Sequence, residues 1–264
     1  MKMPSLKMRK HKYPSLGFCI FCLKPPSDDP LSALTIEHIV TKTLGGTLLF
    51  LGGTCTRCAR FGNQRFEQLA INTDFLVIRN LIRLTNKAPS RSFPPIYYGN
   101  QVVPATLATF PKVISMFVPP VAGKLRGIDV GDGVSNFRFI FINITRYYPQ
   151  SVRISERQEY TTSGEPTSFG LALAKAAYCF AVGEFGIDGF DGTEIRQLLN
   201  GERIDVYNFV GEPVAKERMD GQDLHQLLPR YRDGGVLTIL VHLFASYGVP
   251  PYEVVMGKFT PPGS

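Results

Sequence analysis

Apolar residues in this chain follow two different spacings, which together predict an α+β fold. Runs rich in β-branched and aromatic residues predict strands at Val113–Val118, 137–144, 235–247 and 252–259. Helices are predicted over residues 58–69, 75–84, 169–185 and Thr193–Asn200. The segment 169–185 (FGLALAKAAYCFAVGEF) is apolar nearly all round, so we expect this helix to be buried.

Four side chains in these elements have predicted structural positions. Cys179 is expected to be a small core residue of the buried helix. His242 lies in mid-strand among aliphatic residues, a position typical of a core or sheet-face histidine. His225, in the segment DLHQLL, is predicted to lie on a helical surface. Arg138 is expected on the open face of a sheet.

Composition indicates a globular protein with a substantial core. The 264 residues are 44% hydrophobic and 19% charged. No run of uncharged apolar residues is long enough to predict a membrane span. The basic N-terminus lacks a following apolar stretch, which argues against a secretory signal. We therefore expect a cytoplasmic protein.

Positive charge is concentrated in the first part of the chain. The net charge is +7, but residues 1–100 hold 14 Lys and Arg against 5 Asp and Glu, a balance of +9, and the remainder is at −2. A basic surface attracts a phosphate backbone without reading its sequence. The charge therefore favours a nucleic-acid partner, with an ordinary basic surface as the alternative.

Two Cys-x-x-Cys pairs lie within residues 19–58. They are Cys19 with Cys22 and Cys55 with Cys58. Four thiolates in two such pairs are the ligand set of a tetrahedral structural zinc site, and they leave one of the five cysteines unassigned. Thiols used in this way suit a reducing compartment better than a disulfide framework does.

An acidic residue and a histidine stand together between the two cysteine pairs. Glu37 and His38 form the centre of the segment LTIEHIV. A histidine beside a carboxylate can act as a general base next to a hard divalent cation. The pair is therefore the candidate catalytic centre.

The whole pattern, CxxC, EHI, LGG and CxxC followed by a helix, resembles the zinc-stapled form of the HNH (ββα-metal) endonuclease family. The resemblance covers about the first quarter of the chain. It implies a ββα module in which a strand over residues 34–36 presents Glu37 and His38. It further implies that His38 activates the attacking water, that Glu37 binds a catalytic Mg²⁺ or Mn²⁺, and that the four cysteines bind structural Zn²⁺.

One position departs from the family pattern. Where such proteins have a metal-binding asparagine after the fourth cysteine, this chain has Ala59, which carries no donor atom. Three interpretations stay open: a natural degenerate nuclease, a site with Asn63 or Glu67 as replacement ligand, and an engineered inactivating change at position 59. The family's second asparagine is also not visible in the loop between the strands.

The predicted organisation has four parts. Residues 1–16 form a basic arm, 17–88 the HNH nuclease module, 89–95 a linker rich in proline, and 96–264 an α+β accessory or regulatory domain. In the module, Lys42, Arg57, Arg60 and Arg65 are candidate phosphate contacts.

The leading functional hypothesis is an HNH endonuclease that hydrolyses the phosphodiester bonds of double-stranded DNA, with Ala59 as the residue that would disable it in this chain. The alternative is a zinc-stapled nucleic-acid-binding protein without catalysis. A third hypothesis gives the C-terminal region a sensing or partner-binding role that controls the nuclease, as in a bacterial defence system. A homo-oligomer is compatible with each of them.

Overall fold

The computed structural model describes residues 10–82, 84, 93, 95–98, 101–106, 110, 112–133, 135–145, 159–160, 166–215 and 223–261. Its strands are β1 His11–Tyr13, β2 Leu34–His38, β3 Leu48–Cys55, β4 Ile96–Tyr98, β5 Gln101–Val103, β6 Val113–Val118, β7 Arg138–Asn143, β8 Glu159–Tyr160, β9 Val210–Gly211, β10 His225–Arg232, β11 Val236–Leu243 and β12 Tyr252–Lys258. Its α-helices are α1 Thr56–Gly62, α2 Gln68–Asn72, α3 Leu76–Leu81, α4 Gly123–Arg126, α5 Pro166–Phe185 and α6 Thr193–Asn200.

An antiparallel hairpin, β2 with β3, carries the candidate catalytic pair. β1 pairs in parallel with the other edge of β3, giving a three-stranded sheet in the order β1, β3, β2. The loop after His38 is held tightly by two glycines. Gly45 has φ of +86°, and a Cβ on Gly46 would lie only 1.7 Å from the carbonyl oxygen of Val40. Only glycine fits such a close approach.

The hairpin leads directly into a helical segment that is not uniformly α-helical. α1 and α2 are joined by a π turn, Asn63–Glu67, in which the amide of Gln68 donates to the carbonyl oxygen of Asn63. A π turn takes up an additional residue within the helix and is frequent at functional sites. It changes the face on which the following side chains lie.

α5 is the central helix of the fold. It contacts α2, the π turn and β3 on the N-terminal side, and α6, β11 and β12 on the C-terminal side. The C-terminal sheet has the order β10, β11, β12, β9 with antiparallel pairing throughout. Buried residues from both halves of the chain form one continuous hydrophobic cluster around α5.

The predicted α+β class is confirmed, and several elements have the predicted position. The strand at Val113–Val118 and the helix at Thr193–Asn200 match the predicted bounds. The buried helix begins three residues earlier than expected and contains Cys179 in the core. The strand predicted over 235–247 ends at Leu243, and Ala245–Tyr247 forms a 3-10 turn.

The prediction of a helical surface for His225 is wrong. His225 begins strand β10 and is half-buried. Its Nε2 lies 2.8 Å from the carbonyl oxygen of Leu44, and its Nδ1 accepts from the amide of Phe244. The polar residues around it predict a helix surface, but pairing with β11 decides the conformation. His242 is buried in β11 as predicted.

Parts of the predicted organisation fall outside the described residues. Residues 1–9 of the predicted basic arm are not described, and its last part contains β1, which belongs to the sheet. Of the predicted linker 89–95, only Phe93 and Pro95 are described. Arg138 is exposed on β7, as expected, and its guanidinium pairs with Glu212.

Candidate active site and zinc centre

The four predicted cysteine ligands form one cluster. Their sulfur atoms all lie within 4.8 Å of one another, and the Sγ atoms of Cys22 and Cys55 are 3.9 Å apart. A tetrahedral site with Zn–S bonds of about 2.3 Å has sulfurs roughly 3.8 Å apart. The cluster is therefore the right size to hold a zinc ion.

Hydrogen bonds with three elements hold the backbone of the first cysteine pair. The amide of Ile20 donates to the carbonyl oxygen of Gly53 on β3 at 3.0 Å. The hydroxyl of Tyr178 on α5 donates to the carbonyl oxygen of Ile20 at 2.6 Å, and Asn200 on α6 donates to that of Phe21 at 3.1 Å. The cysteine knuckle is thus tied to both halves of the chain.

The thiols of the cluster share their protons. A hydrogen bond from Cys58 lowers the pKa of Cys19 to about 4, and the same contact raises the pKa of Cys58. Burial raises the pKa of Cys22. Because zinc binds thiolates, metal binding would release the remaining protons and weaken at low pH.

The carboxylate of Glu37 is buried and paired with a lysine from the opposite half of the chain. Lys175, on α5, is only 5% exposed. Its ammonium pairs with Oε1 of Glu37, and lies 2.9 Å from Oε1 of Glu67 and 2.9 Å from the carbonyl oxygen of His38. An ammonium has three protons to donate, so these three oxygens satisfy it fully.

Burial and charge act in opposite directions on this group of side chains. Burial raises the pKa of Glu37, Lys175 opposes that rise, and the neighbouring Glu67 adds to it. Burial alone would lower the pKa of Lys175, but Glu37 and Glu67 raise it above its ordinary value. Lys175 is therefore charged over the whole physiological range.

His38 is half-buried at the end of β2, beside this ion-paired group. Burial lowers the pKa of His38, and the positive charges of Lys175 and Lys42 lower it further. The imidazole is therefore neutral near pH 7. Among the described residues, no side chain makes a hydrogen bond to it, which leaves a ring nitrogen able to accept a proton.

The structure brings Glu67, and not Asn63, to the candidate centre. Eight residues at 100° each would place Glu67 roughly 80° around an α-helix from Ala59, and the π turn cancels most of this offset. Ala59 and Glu67 consequently line one pocket with Glu37 and Lys175. Asn63 is exposed, and its Oδ1 accepts from Nε2 of Gln68 at 3.0 Å.

The candidate phosphate contacts have different surroundings. Lys42 and Arg60 are exposed. Arg57 is also exposed but pairs with Asp29 at 2.7 Å. Arg65 is half-buried and donates to the carbonyl oxygens of Leu198 and Leu199 near the C-terminus of α6, so its guanidinium is occupied within the fold.

Sequence reasoning missed Lys175. The pattern of its neighbours predicts a buried apolar helix, and Lys175 is the single charged residue between Phe169 and Gly183. A lysine in a helix predicted to be buried requires an anionic partner. That requirement was the available signal, although it could not identify the partner.

The residues around Glu37 do not fit a divalent cation as they are folded. The resemblance places Mg²⁺ or Mn²⁺ at Glu37, but the oxygens of Glu37, Glu67 and His38 all bind the Lys175 ammonium. Ala59 adds no donor to this pocket. No catalytic step through a bound metal follows from this arrangement.

Comparisons with protein-family models, with curated proteins and with solved structures gave no match. The resemblance to the HNH family therefore rests on the motif residues alone. Of the helices in the described part of the chain, none combines the length and apolar composition needed to cross a membrane.

Proposed function

We propose that this chain is a zinc-stapled protein of the HNH nuclease type that binds nucleic acid and whose active site is disabled in the folded chain. The observation that carries the proposal is the position of Lys175. Its ammonium occupies the oxygens around Glu37, directly beside a neutral and unengaged His38. The site keeps its general base but has lost the acidic group available to a metal.

The role of His38 follows from its position. In the proposed ancestral reaction, a ring nitrogen takes a proton from the water that attacks the phosphorus atom. A proton acceptor must be neutral at working pH, and the lowered pKa of His38 meets that condition. Lys42, whose charge acts on His38, is exposed and suited to a phosphate oxygen of the substrate.

A plasmid-nicking assay with Mg²⁺ or Mn²⁺ tests this proposal directly. We expect the natural chain and the Ala59→Asn variant to nick at background rates, since Lys175 remains in place in both. The double variant Ala59→Asn, Lys175→Met should nick, because it regains an amide oxygen and frees both carboxylates. Adding His38→Ala to that variant should reduce nicking by about 10²–10⁴-fold, the usual contribution of a general base.

The outcomes of the nicking assay separate the hypotheses. Metal-dependent nicking by the natural chain that is lost in His38→Ala would show an active enzyme and contradict the disabled site. Nicking by Ala59→Asn alone would make Ala59 the lesion. If every variant folds, carries zinc and binds DNA but none nicks it, the second candidate function is favoured. That candidate is a nucleic-acid-binding protein whose site does not descend from a catalytic one.

Binding to nucleic acid has its own prediction. The dissociation constant for duplex DNA should rise steeply with salt, because each phosphate contact contributes about −0.9 to the slope of log K against log salt. The double variant Lys42→Ala, Arg60→Ala should lower the magnitude of that slope by about 2, as measured by fluorescence anisotropy.

A matched control is available at the other end of the chain. Lys258, at the end of β12, is also exposed, and Lys258→Ala should leave the slope unchanged. A loss in the control half as large as that in the double variant would indicate attraction by net charge alone, because the control removes one positive charge and the double variant removes two. RNA and single-stranded DNA in the same assay define the preferred substrate class.

A further inference from the structure

The three oxygens around Lys175 form a cradle built from two separate elements. Glu37 comes from β2, Glu67 from the π turn and the carbonyl oxygen of His38 from the end of β2. Two carboxylates and a carbonyl are hard oxygen donors of the kind that Mg²⁺ and Mn²⁺ prefer. The occupant of this cradle is nevertheless a side chain.

The charges of the cradle fit a divalent cation better than they fit an ammonium. Two carboxylates carry a charge of −2 when ionised, and Lys175 supplies only +1. The mismatch is kept inside the protein, where Glu37 and Lys175 are both almost fully buried. An uncompensated charge in such surroundings is costly.

The helix that carries Lys175 cannot move away from the cradle without disrupting the core. The helix turns on either side of it are buried, including Leu171, Ala174 and Tyr178, and α5 packs against both halves of the protein. A gate that opens and closes needs an element of low local stability. Helix α5 does not meet this condition, because it is buried and packed on both sides. The lysine is therefore held beside the cradle by a rigid helix.

We propose that the Lys175 ammonium replaces the divalent cation between Glu37 and Glu67, so that the folded chain binds no Mg²⁺ or Mn²⁺ there, and that removing this lysine creates a divalent-cation site. The inference deepens the proposed function, because it names what disables the site. In this proposal the inhibiting residue, Lys175, comes from α5 in the C-terminal half of the chain.

The test measures Mn²⁺ binding to the full-length, zinc-loaded protein by electron paramagnetic resonance, without any assay of cleavage. Wild-type protein is expected to bind no Mn²⁺ that depends on Glu37. Lys175→Met should bind one Mn²⁺ per chain, at least tenfold tighter than any Mn²⁺ that wild type binds elsewhere, and its melting temperature should rise with added Mn²⁺. Adding Glu37→Gln or Glu67→Gln to Lys175→Met should abolish that binding.

The control variant is Lys124→Met. It removes a lysine from another Lys–Glu pair, Lys124 with Glu194 at 2.6 Å, which lies on the surface, and it should gain no Mn²⁺ site. Mn²⁺ bound by wild-type protein and lost in Glu37→Gln would overturn the inference even if Lys175→Met does not fold. A Lys175→Met protein that gains neither a bound Mn²⁺ nor stability from it would overturn it too.

The Mn²⁺-binding test and the nicking assay can contradict their two proposals independently of each other. If Lys175→Met binds Mn²⁺ but no variant nicks DNA, the cradle is a cation site and the nuclease ancestry is rejected. If variants nick DNA but Lys175→Met binds no Mn²⁺ through Glu37, the nuclease proposal survives and Lys175 is not its inhibitor.

Discussion

Replacing Cys22 with serine is expected to abolish zinc binding and to unfold the N-terminal part of the protein. Structural zinc sites contribute apparent binding free energies of about 10–16 kcal/mol at pH 7, as large as the whole stability of a typical domain, about 5–15 kcal/mol. Cys22 is half-buried, so the substitution itself leaves no large cavity. The loss therefore reports on the metal.

The measurement combines zinc content with thermal unfolding. Wild-type protein should carry one zinc per chain, and Cys22→Ser none, with a melting temperature lower by at least ~10 °C, since 1 kcal/mol corresponds to roughly 2–4 °C at this size. The matched control is Cys179→Ala, which removes a buried thiol outside the cluster and should keep its zinc. A chelated protein that melts like the untreated one would contradict a structural zinc.

Local sequence patterns predict much of this fold because the elements concerned are decided by their neighbours in sequence. The run VISMFV at Val113–Val118 is apolar and β-branched, and the helix at Thr193–Asn200 has an acidic first turn and a glycine directly after it. The cysteine cluster can be predicted from the sequence equally well, because two Cys-x-x-Cys pairs have few structural roles. The structure brings its four sulfurs together as expected.

The candidate site is less predictable because its deciding contacts are non-local. Lys175 meets Glu37 and Glu67 across more than 100 positions of sequence, and no local pattern contains that pairing. The choice between Asn63 and Glu67 depended on the π turn, a deviation of about one residue that periodicity does not reveal. His225 was misassigned for the same reason, since its strand is fixed by pairing with β11.

Among the stability predictions for the candidate site, the largest effect is expected for Lys175→Met. Removing one partner from a buried ion pair typically costs about 3–5 kcal/mol, because the remaining charge is left unpaired. Here two carboxylates lose their cation, so urea unfolding at pH 7 should show a loss in that range. Glu67→Gln leaves a neutral Glu37–Lys175 pair and should cost only about 1 kcal/mol. The surface control Lys124→Met should cost less than about 1 kcal/mol.

The loss in Lys175→Met should also depend on pH, with a sign set by Glu37. Burial and the neighbouring Glu67 raise the pKa of Glu37 above its ordinary value of 4.5, and without Lys175 nothing opposes that rise. Between the ordinary pKa of Glu37 in the unfolded state and its raised pKa in the folded state, the folded state binds more protons. The stability of the variant therefore increases as the pH falls through the raised pKa. Urea midpoints of Lys175→Met and wild type should therefore converge on acidification towards that window. A gap that stays constant with pH would show that the lysine stabilises the fold by packing rather than by neutralising Glu37, and Lys175→Met, Glu37→Gln would then recover nothing.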